Sequence, residues 1–279
     1  MALILDGKKI RDERLPALKA EFSALSTRPT LAIVQVGDRP DSNSYINQKK
    51  IFAEKVGVKI WHLRFTAEMG SERVIEEIKV LNNDPEVQGI IVQIPLPEGW
   101  DKKTIINNIT PNKDVDGLTD NNQEKFYAGR ADSFIPATAR GVMTMLDFYN
   151  ISVDGKRAVV VGRSELVGKP IAQLLRMRGA MVEVCHRQTE DIPFVSGQAD
   201  ILVVAAGSPK LIGMSGVKAG QVVIDVGINK TNSGQLTGDV DFEAVKNIVG
   251  AISPVPGGVG PLTVLSLFEN LLGAAKRVI

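Results

Sequence analysis

The stretch KRAVVVGRSELVGKP, residues 156–170, joins a run of β-branched residues to a glycine-containing turn and then to the start of a helix. A strand buried in a parallel sheet has this continuous apolar composition. The turn and the helix N-terminus leave backbone N–H groups free, and these groups, with the helix dipole, attract an anion. The stretch therefore predicts a phosphate cradle. Its spacing, G-x-S-x-x-x-G, differs from the G-x-G-x-x-G of dinucleotide-binding folds, so a tight turn without a ligand is the alternative.

Similar apolar runs, rich in Val and Ile, recur along the chain, and helix-like segments separate them. Such alternation with short connections predicts an α/β fold built from right-handed crossovers. The predicted strands are Leu31–Val36, Ile60–Phe65, Gly89–Ile94, Ala158–Val161, Met181–Cys185, Ile201–Ala205 and Val222–Val226. The predicted helices are Asp41–Val56, Ser71–Leu81 and Thr138–Tyr149 with Ser71 and Thr138 as N-caps, Val167–Arg178, and Leu262–Arg277.

The length and one irregular segment predict the domain organisation. At roughly 150 residues per domain, 279 residues correspond to two domains. Segment Thr110–Ile135 interrupts the alternation with Pro, Asn, Asp and Gly, and it marks the seam. We predict one domain over residues 1–120, to which a last helix over residues 262–279 returns as a strap. The second domain is predicted over residues 121–261.

The composition excludes several classes of protein. The chain has 33 basic and 32 acidic side chains and a net charge of +1, so it lacks the basic excess of a nucleic-acid or membrane-surface protein. No apolar run approaches the ~18 residues of a membrane helix, and no signal peptide is evident. One cysteine, Cys185, and two histidines offer neither an internal disulfide nor a zinc cluster. We expect a cytoplasmic protein that binds small molecules, with no metal, nucleic-acid or membrane partner.

The end of the predicted strand Met181–Cys185 is a second candidate site. In doubly wound folds this position reads the adenosine ribose, and NAD-selective proteins place an acid there. Here His186 and Arg187 follow the strand, and Arg163 is expected nearby. Cations suit a 2′-phosphate, which favours NADP over NAD. A solvated arginine at a strand end is the alternative.

The first half of the chain offers polar side chains that could bind or react. Tyr45 and Lys49 lie four residues apart and so share one helix face, as a ring for stacking and an amine for proton transfer. Gln93 ends a buried strand before two prolines, where α/β folds bind ligands. Solvated helix residues and an amide bound to loop backbone are the respective alternatives.

Two loops complete the candidate set. Lys113–Gly117 places two acids, Asp114 and Asp116, in one turn, and the turn alone does not decide between a binding site and a solvated loop. Ser253–Thr263 is dense in Pro and Gly, which gives a rigid backbone with little side-chain bulk, as the wall of a ligand site requires.

Five segments together carry a family resemblance: YINQK at 45–49, VQIPLP at 92–97, KDVDG at 113–117, VVGRS at 160–164 and PVPGGVGP at 254–261. They resemble the signatures of the bifunctional methylenetetrahydrofolate dehydrogenase/methenyltetrahydrofolate cyclohydrolase family, in the family's order and over nearly the whole chain. The resemblance implies an N-terminal folate-binding α/β domain, a C-terminal Rossmann-like parallel-sheet domain for NADP, and a cleft between them.

The resemblance also implies roles for individual residues. Tyr45, Lys49 and Gln93 would be catalytic and would bind folate, with Asp116 holding the pterin and with Pro256, Gly257 and Gly258 on the folate side; Gly162, Arg163, Ser164, Arg187 and Ile228 would bind the cofactor.

The implied reactions are the NADP-dependent oxidation of 5,10-methylenetetrahydrofolate to 5,10-methenyltetrahydrofolate and its hydrolysis to 10-formyltetrahydrofolate. They belong to one-carbon metabolism and purine biosynthesis. A cytoplasmic homodimer is implied as well.

This sequence departs from the family pattern at two places. Arg187 and Gln188 stand where Ser and Lys are common, and alanines flank Thr138 where Cys and Pro are common.

Two other functions are alternatives to the one that the family resemblance implies. One is a monofunctional dehydrogenase for another small substrate, in the style of shikimate or amino-acid dehydrogenases. The other is a folate- or NADP-binding regulator without activity.

Overall fold

A computed structural model describes residues 2–231 and 234–277. The chain divides into two compact units, each with its own parallel sheet. The six-stranded unit comprises residues 2–12 and Thr138–Thr263. The three-stranded unit comprises Glu13–Ala137 and residues 264–277. This division differs from the predicted one chiefly at residues 2–12 and 121–137.

The strands and helices are numbered in chain order. The strands are β1 (Leu3–Ile4), β2 (Thr30–Val36), β3 (Lys59–Phe65), β4 (Val87–Val92), β5 (Arg157–Val161), β6 (Met181–Cys185), β7 (Ile201–Val204), β8 (Val222–Asp225), β9 (Asn229–Lys230), β10 (Leu236–Thr237) and β11 (Ala251–Ile252). The helices are α1 (Gly7–Ser23), α2 (Pro40–Val56), α3 (Gly70–Asn83), α4 (Lys102–Asn107), α5 (Asp120–Tyr127), α6 (Ala137–Phe148), α7 (Gly168–Met177), α8 (Ile192–Gly197), α9 (Phe242–Val245) and α10 (Val259–Arg277).

The three-stranded sheet has the order β3-β2-β4, and all its pairs are parallel. The central strand β2 is buried along its whole length, as its sequence TLAIVQV predicts. Helix α3 packs Val74, Ile78 and Leu81 into the same core. Residues 264–277 of α10 belong to this unit, where the ring of Phe268 lies 5.0 Å from that of Phe52. The carboxyl end of β4 leads directly to Gln93.

The six-stranded sheet has the order β1-β11-β8-β7-β5-β6, with every pair parallel. The chain passes from β5 outward to β6 and then returns to the other side of β5 to form β7. A doubly wound sheet has this arrangement, and its ligands bind outside the carboxyl ends of the strands at the point of reversal. The predicted α/β class with parallel sheets is confirmed.

The predicted strands match the observed ones to within two residues, and the largest difference is at α10, which begins at Val259, three residues before the predicted Leu262. The two predicted N-caps are wrong. Ser71 is not an N-cap: α3 begins at Gly70, directly after a 3-10 turn, and no side chain caps it. Thr138 is not an N-cap either, because α6 begins one residue earlier. Helix α1, which contains Pro16, has no predicted counterpart. Among the described helices, none is long and apolar enough to cross a membrane.

We expect Phe268→Ala to destabilise the three-stranded unit by about 3–5 kcal/mol, because Phe268 is fully buried against Phe52 and truncation leaves a cavity. Phe194→Ala is the matched control, since Phe194 is 65% exposed on α8. Urea unfolding followed by circular dichroism measures both. A Phe268→Ala unfolding curve no different from that of Phe194→Ala would contradict this packing.

Candidate active site and nucleotide-binding turn

A hydrogen bond between α2 and the end of β4 is the centre of the first candidate site. The Lys49 Nζ atom donates to Gln93 Oε1 at 2.8 Å, and Gln93 Nε2 donates to the carbonyl oxygen of Ile94 at 2.8 Å. The second bond fixes the amide so that its oxygen faces the amine. Both interpretations of Gln93 therefore apply, since the side chain binds loop backbone and also positions a lysine.

Burial changes the proton affinity of the charged groups here. It lowers the pKa of the Lys49 amine, and the negative charge of Asp116 offsets part of that effect. Burial likewise raises the pKa of Asp116, while the charge of Lys49 lowers it and that of Asp114 raises it. Lys49 and Asp116 thus form an electrostatically coupled pair in which each group favours the charged form of the other.

The turn that carries Asp116 is held by residues whose roles the sequence did not reveal. The buried carboxylate of Asp114 accepts from the backbone N–H of Leu118 at 3.1 Å and of Thr119 at 2.8 Å. It also accepts from Asn122 Nδ2 at 2.9 Å. Asn270 of α10 donates to the carbonyl oxygen of Val115 at 2.9 Å. Asp114 therefore shapes the turn, and Asp116 remains to interact with Lys49.

Tyr45 lies one turn of α2 before Lys49 and is 37% exposed. Burial of its hydroxyl, and secondarily the charge of Asp41, raise the pKa of Tyr45. The phenol is therefore protonated at neutral pH and offers a ring face and an O–H donor, not a charge.

The glycine turn after β5 is tightly packed against neighbouring backbone. A Cβ atom at Gly162 would lie 2.2 Å from the carbonyl oxygen of Ala205, and one at Gly168 would lie 2.1 Å from the carbonyl oxygen of Gly162. Only glycine fits at these two positions, because any side chain would collide with the neighbouring backbone. The hydroxyl of Ser164 accepts from the N–H of Gly168 at 3.3 Å, which positions the start of α7.

Cations gather beside this turn at the end of β6. The Arg163 guanidinium contacts His186 Nε2 at 3.5 Å and Gln188 Oε1 at 3.4 Å. Arg187 is exposed in the same segment, and within the described part of the chain its side chain forms no ion pair or hydrogen bond. The predicted proximity of Arg163 to this strand end is therefore present in the structure.

The remaining predicted residues also lie in the six-stranded unit. Ile228 is 41% exposed in the loop after β8. In the Pro/Gly loop, the carbonyl oxygen of Gly257 accepts from the N–H of Gly7 at 2.9 Å and of Lys8 at 3.2 Å. A Cβ at Gly7 would come within 1.8 Å of the carbonyl oxygen of Gly258. Pro256, Gly257 and Gly258 thus form a loop packed backbone to backbone on the start of α1, whereas Tyr45, Lys49, Gln93 and Asp116 lie in the three-stranded unit.

A doubly wound sheet with a tight glycine turn after β5, together with an α/β unit bearing a partly buried lysine, is the arrangement of two-domain nucleotide-dependent enzymes. Comparison with known families narrows this class. Residues 5–116 match the catalytic domain of tetrahydrofolate dehydrogenase/cyclohydrolase, and residues 136–279 match the NAD(P)-binding domain of the same family. The chain belongs to the tetrahydrofolate dehydrogenase/cyclohydrolase family.

Individual relatives cover the chain almost completely. The "Bifunctional protein FolD" of Methanoculleus marisnigri is 47% identical over 274 residues, which are 98% of this chain and 96% of that protein. The crystal structure of the bifunctional FolD methylenetetrahydrofolate dehydrogenase/cyclohydrolase from Campylobacter jejuni has a TM-score of 0.97 and 39% identity, with full coverage of both chains. The Trypanosoma brucei enzyme, complexed with NADP cofactor and inhibitor, has a TM-score of 0.92 and 34% identity, covering 99% of this chain and 98% of its own.

We expect Asp116→Asn to lower the pKa of Lys49 further, because it removes the carboxylate that favours the charged amine. NMR titration of the labelled Lys49 amine measures the change. Asp120→Asn is the control, since Asp120 also loses a charge but pairs with Lys103 at the surface. A Lys49 pKa that rises or stays constant in Asp116→Asn would contradict the coupling.

Proposed function

We propose that this protein is a bifunctional enzyme of one-carbon metabolism. It oxidises 5,10-methylenetetrahydrofolate to 5,10-methenyltetrahydrofolate with NADP⁺, and it hydrolyses the product to 10-formyltetrahydrofolate. The family membership supports both activities. The observation that carries the proposal is the partly buried Lys49 amine, which is held by Gln93 and coupled to Asp116.

In the hydrolytic step, Lys49 is the general base. Water that attacks the methenyl carbon must lose a proton, and a neutral amine can accept it. Burial already lowers the pKa of Lys49, and a cationic substrate beside it favours the neutral form further. The bond to Gln93 Oε1 uses one N–H of the amine and leaves its lone pair for the water proton.

Tyr45 and Asp116 bind the folate. The neutral phenol ring of Tyr45 stacks on a planar part of the substrate, one helical turn from Lys49. Asp116 accepts hydrogen bonds from N–H groups of the pterin, which a carboxylate can receive with both oxygens. The loop with Pro256, Gly257 and Gly258 contributes backbone to the folate side.

The six-stranded unit binds NADP, and its residues fit that cofactor. The close approaches at Gly162 and Gly168 leave no side chain to obstruct the pyrophosphate, and Arg163, Ser164 and Arg187 offer donors for phosphate oxygens. Ile228 contacts the nicotinamide side through its backbone. When bound, NADP⁺ would supply the hydride acceptor. Because two ring nitrogens stabilise the resulting folate cation, the protein needs to supply alignment and no base.

The cellular setting extends the proposal. 10-Formyltetrahydrofolate supplies purine biosynthesis, and we place the enzyme in the cytoplasm as a homodimer.

An assay with a panel of substrates separates this function from that of a monofunctional dehydrogenase for another small substrate. Activity on methenyltetrahydrofolate without any nucleotide is the discriminating observation, because a monofunctional dehydrogenase has no such step.

Lys49→Met is expected to lower the rate of methenyltetrahydrofolate hydrolysis by about 10²- to 10⁴-fold, the contribution typical of a general base. The loss of absorbance of the methenyl compound measures this rate. Lys50→Met is the matched control: it removes the neighbouring amine of the same helix, which contacts His62 Nδ1 at 2.9 Å instead of Gln93. Hydrolysis at the wild-type rate in Lys49→Met would contradict the assignment of Lys49 as the general base.

Arg187→Ala is expected to raise the KM for NADP⁺ by about 10- to 100-fold with little change for NAD⁺, because only NADP carries the 2′-phosphate. Arg176→Ala removes an exposed arginine of α7 and serves as the control. Initial rates with both nucleotides give the selectivity. An unchanged ratio would assign the phosphate to Arg163 instead.

A further inference from the structure

We propose that Asp239 is a positioning residue for the nicotinamide end of the cofactor, because its carboxylate ties the loop after β7 to Asn229, the residue at which the loop after β8 ends. The inference rests on the proposed function, since it takes NADP as the ligand of the six-stranded unit.

The carboxylate of Asp239 is completely buried and receives four hydrogen bonds. Its Oδ2 accepts from the N–H of Ala206 at 2.6 Å and of Gly207 at 2.8 Å. Its Oδ1 accepts from the N–H of Ser208 at 2.8 Å and from Asn229 Nδ2 at 2.7 Å. Three consecutive backbone N–H groups thus converge on one side chain, which fixes the path of that loop.

These two loops occupy the ligand-binding edge of the sheet. Strands β7 and β8 are neighbours, with Val204 opposite Asp225, so both loops leave the sheet at its carboxyl edge. The first loop begins at Ala205, against which Gly162 of the phosphate turn packs. The second contains Ile228, which the proposed function assigns to the nicotinamide. Ligands of doubly wound sheets bind at this edge, next to the point of reversal.

A second buried acid, Asp225, holds the segment that carries Asp239. Its carboxylate accepts from the N–H of Gly227 at 2.9 Å, of Asp239 at 3.1 Å and of Val240 at 2.9 Å. A Cβ at Gly227 would lie 2.2 Å from Asp239 Cγ, and one at Gly238 would lie 1.8 Å from Asp225 Oδ2. Because Gly227 and Gly238 have no side chains, the carboxylates of Asp239 and Asp225 can lie directly against the loop backbone.

The arrangement favours positioning over a contribution to stability. Among the described residues no cation forms an ion pair with Asp239, so only backbone and amide dipoles compensate its burial. Such a group adds little net stability, because desolvation offsets its hydrogen bonds. Its bonds, however, all go to the loop after β7 and to Asn229, where the loop after β8 ends.

The test compares Asp239→Asn with Gln221→Met. Asn keeps the shape of the side chain but places an NH₂ group against backbone donors. Gln221 is 1% exposed at the amino end of β8, where its Nε2 donates to the carbonyl oxygens of Ser196 at 2.7 Å and Ala199 at 2.9 Å. Its substitution thus disturbs a buried polar group of the same unit, next to the amino end of β8 and so at the edge of the sheet opposite the ligand.

For Asp239→Asn we expect kcat/KM for the NADP⁺-dependent oxidation to fall about 10- to 100-fold, since small displacements of reacting groups have effects of this size. Hydrolysis of methenyltetrahydrofolate without nucleotide stays within about twofold of wild type. In the ligand-free protein, the amides of Ala206, Gly207 and Ser208 exchange hydrogen faster. Gln221→Met lowers the urea midpoint, and it changes the rates of oxidation and hydrolysis, if at all, by the same factor. If Asp239→Asn does not fold, Asn229→Ala removes a single donor and gives a smaller loss of the same kind.

Equal losses of oxidation and hydrolysis in Asp239→Asn, or the same selective loss in Gln221→Met, overturn the inference. Unchanged oxidation together with unchanged amide exchange overturns it as well. A wild-type protein that neither binds nor reduces NADP⁺ overturns the proposed function and this inference together, whereas the preceding outcomes leave the proposed function intact.

Discussion

Parallel strand pairing is the constraint on which both candidate sites depend. In a parallel sheet all carboxyl ends fall on one edge, and every chain segment that leaves that edge begins beside the next. In the six-stranded unit, Gly162, His186, Ala205 and Val226 directly follow β5, β6, β7 and β8. In the three-stranded unit, Gln93 follows β4 in the same way. Strand pairing thereby brings residues that are far apart in sequence to one edge of the sheet. Folding does not require their side chains to contact one another.

Three aspartates of this protein divide into two kinds, the buried Asp114 and Asp239 and the partly buried Asp116. Asp114 and Asp239 are each surrounded by N–H donors, and they order the chain around them. Asp116 differs, because its proton affinity depends on an amine. A carboxylate that is saturated with hydrogen-bond donors has little capacity left for a ligand, whereas one that is coupled to a neighbouring amine can exchange that neighbour for substrate atoms. The difference separates acids that build the sites from the acid proposed to act in one.

The strands and the polar residues at their ends could be predicted from sequence, because β-branched runs and i,i+4 spacing are local signals. The capping residues of the helices could not. Ser71 and Thr138 lie inside their helices because Gly70 and Ala137 already adopt helical backbone. The roles of Asn270 and Asp239 were also invisible, since each bonds to backbone of segments that are distant in sequence or in a loop without periodicity. Such partners depend on the tertiary fold, which no local pattern encodes.

The contact between the Pro/Gly loop and the start of α1 has a consequence for the earliest residues of the chain. Strand β1 forms an edge of the six-stranded sheet beside β11, and the loop leaves β11 only two residues later. Gly7 and Lys8 then bond to Gly257. Residues 3–8 therefore support the Pro/Gly loop, although the loop lies about 250 residues further along the chain. Cleavage by a protease within this short span would leave every proposed catalytic side chain in place and yet remove the support of the loop.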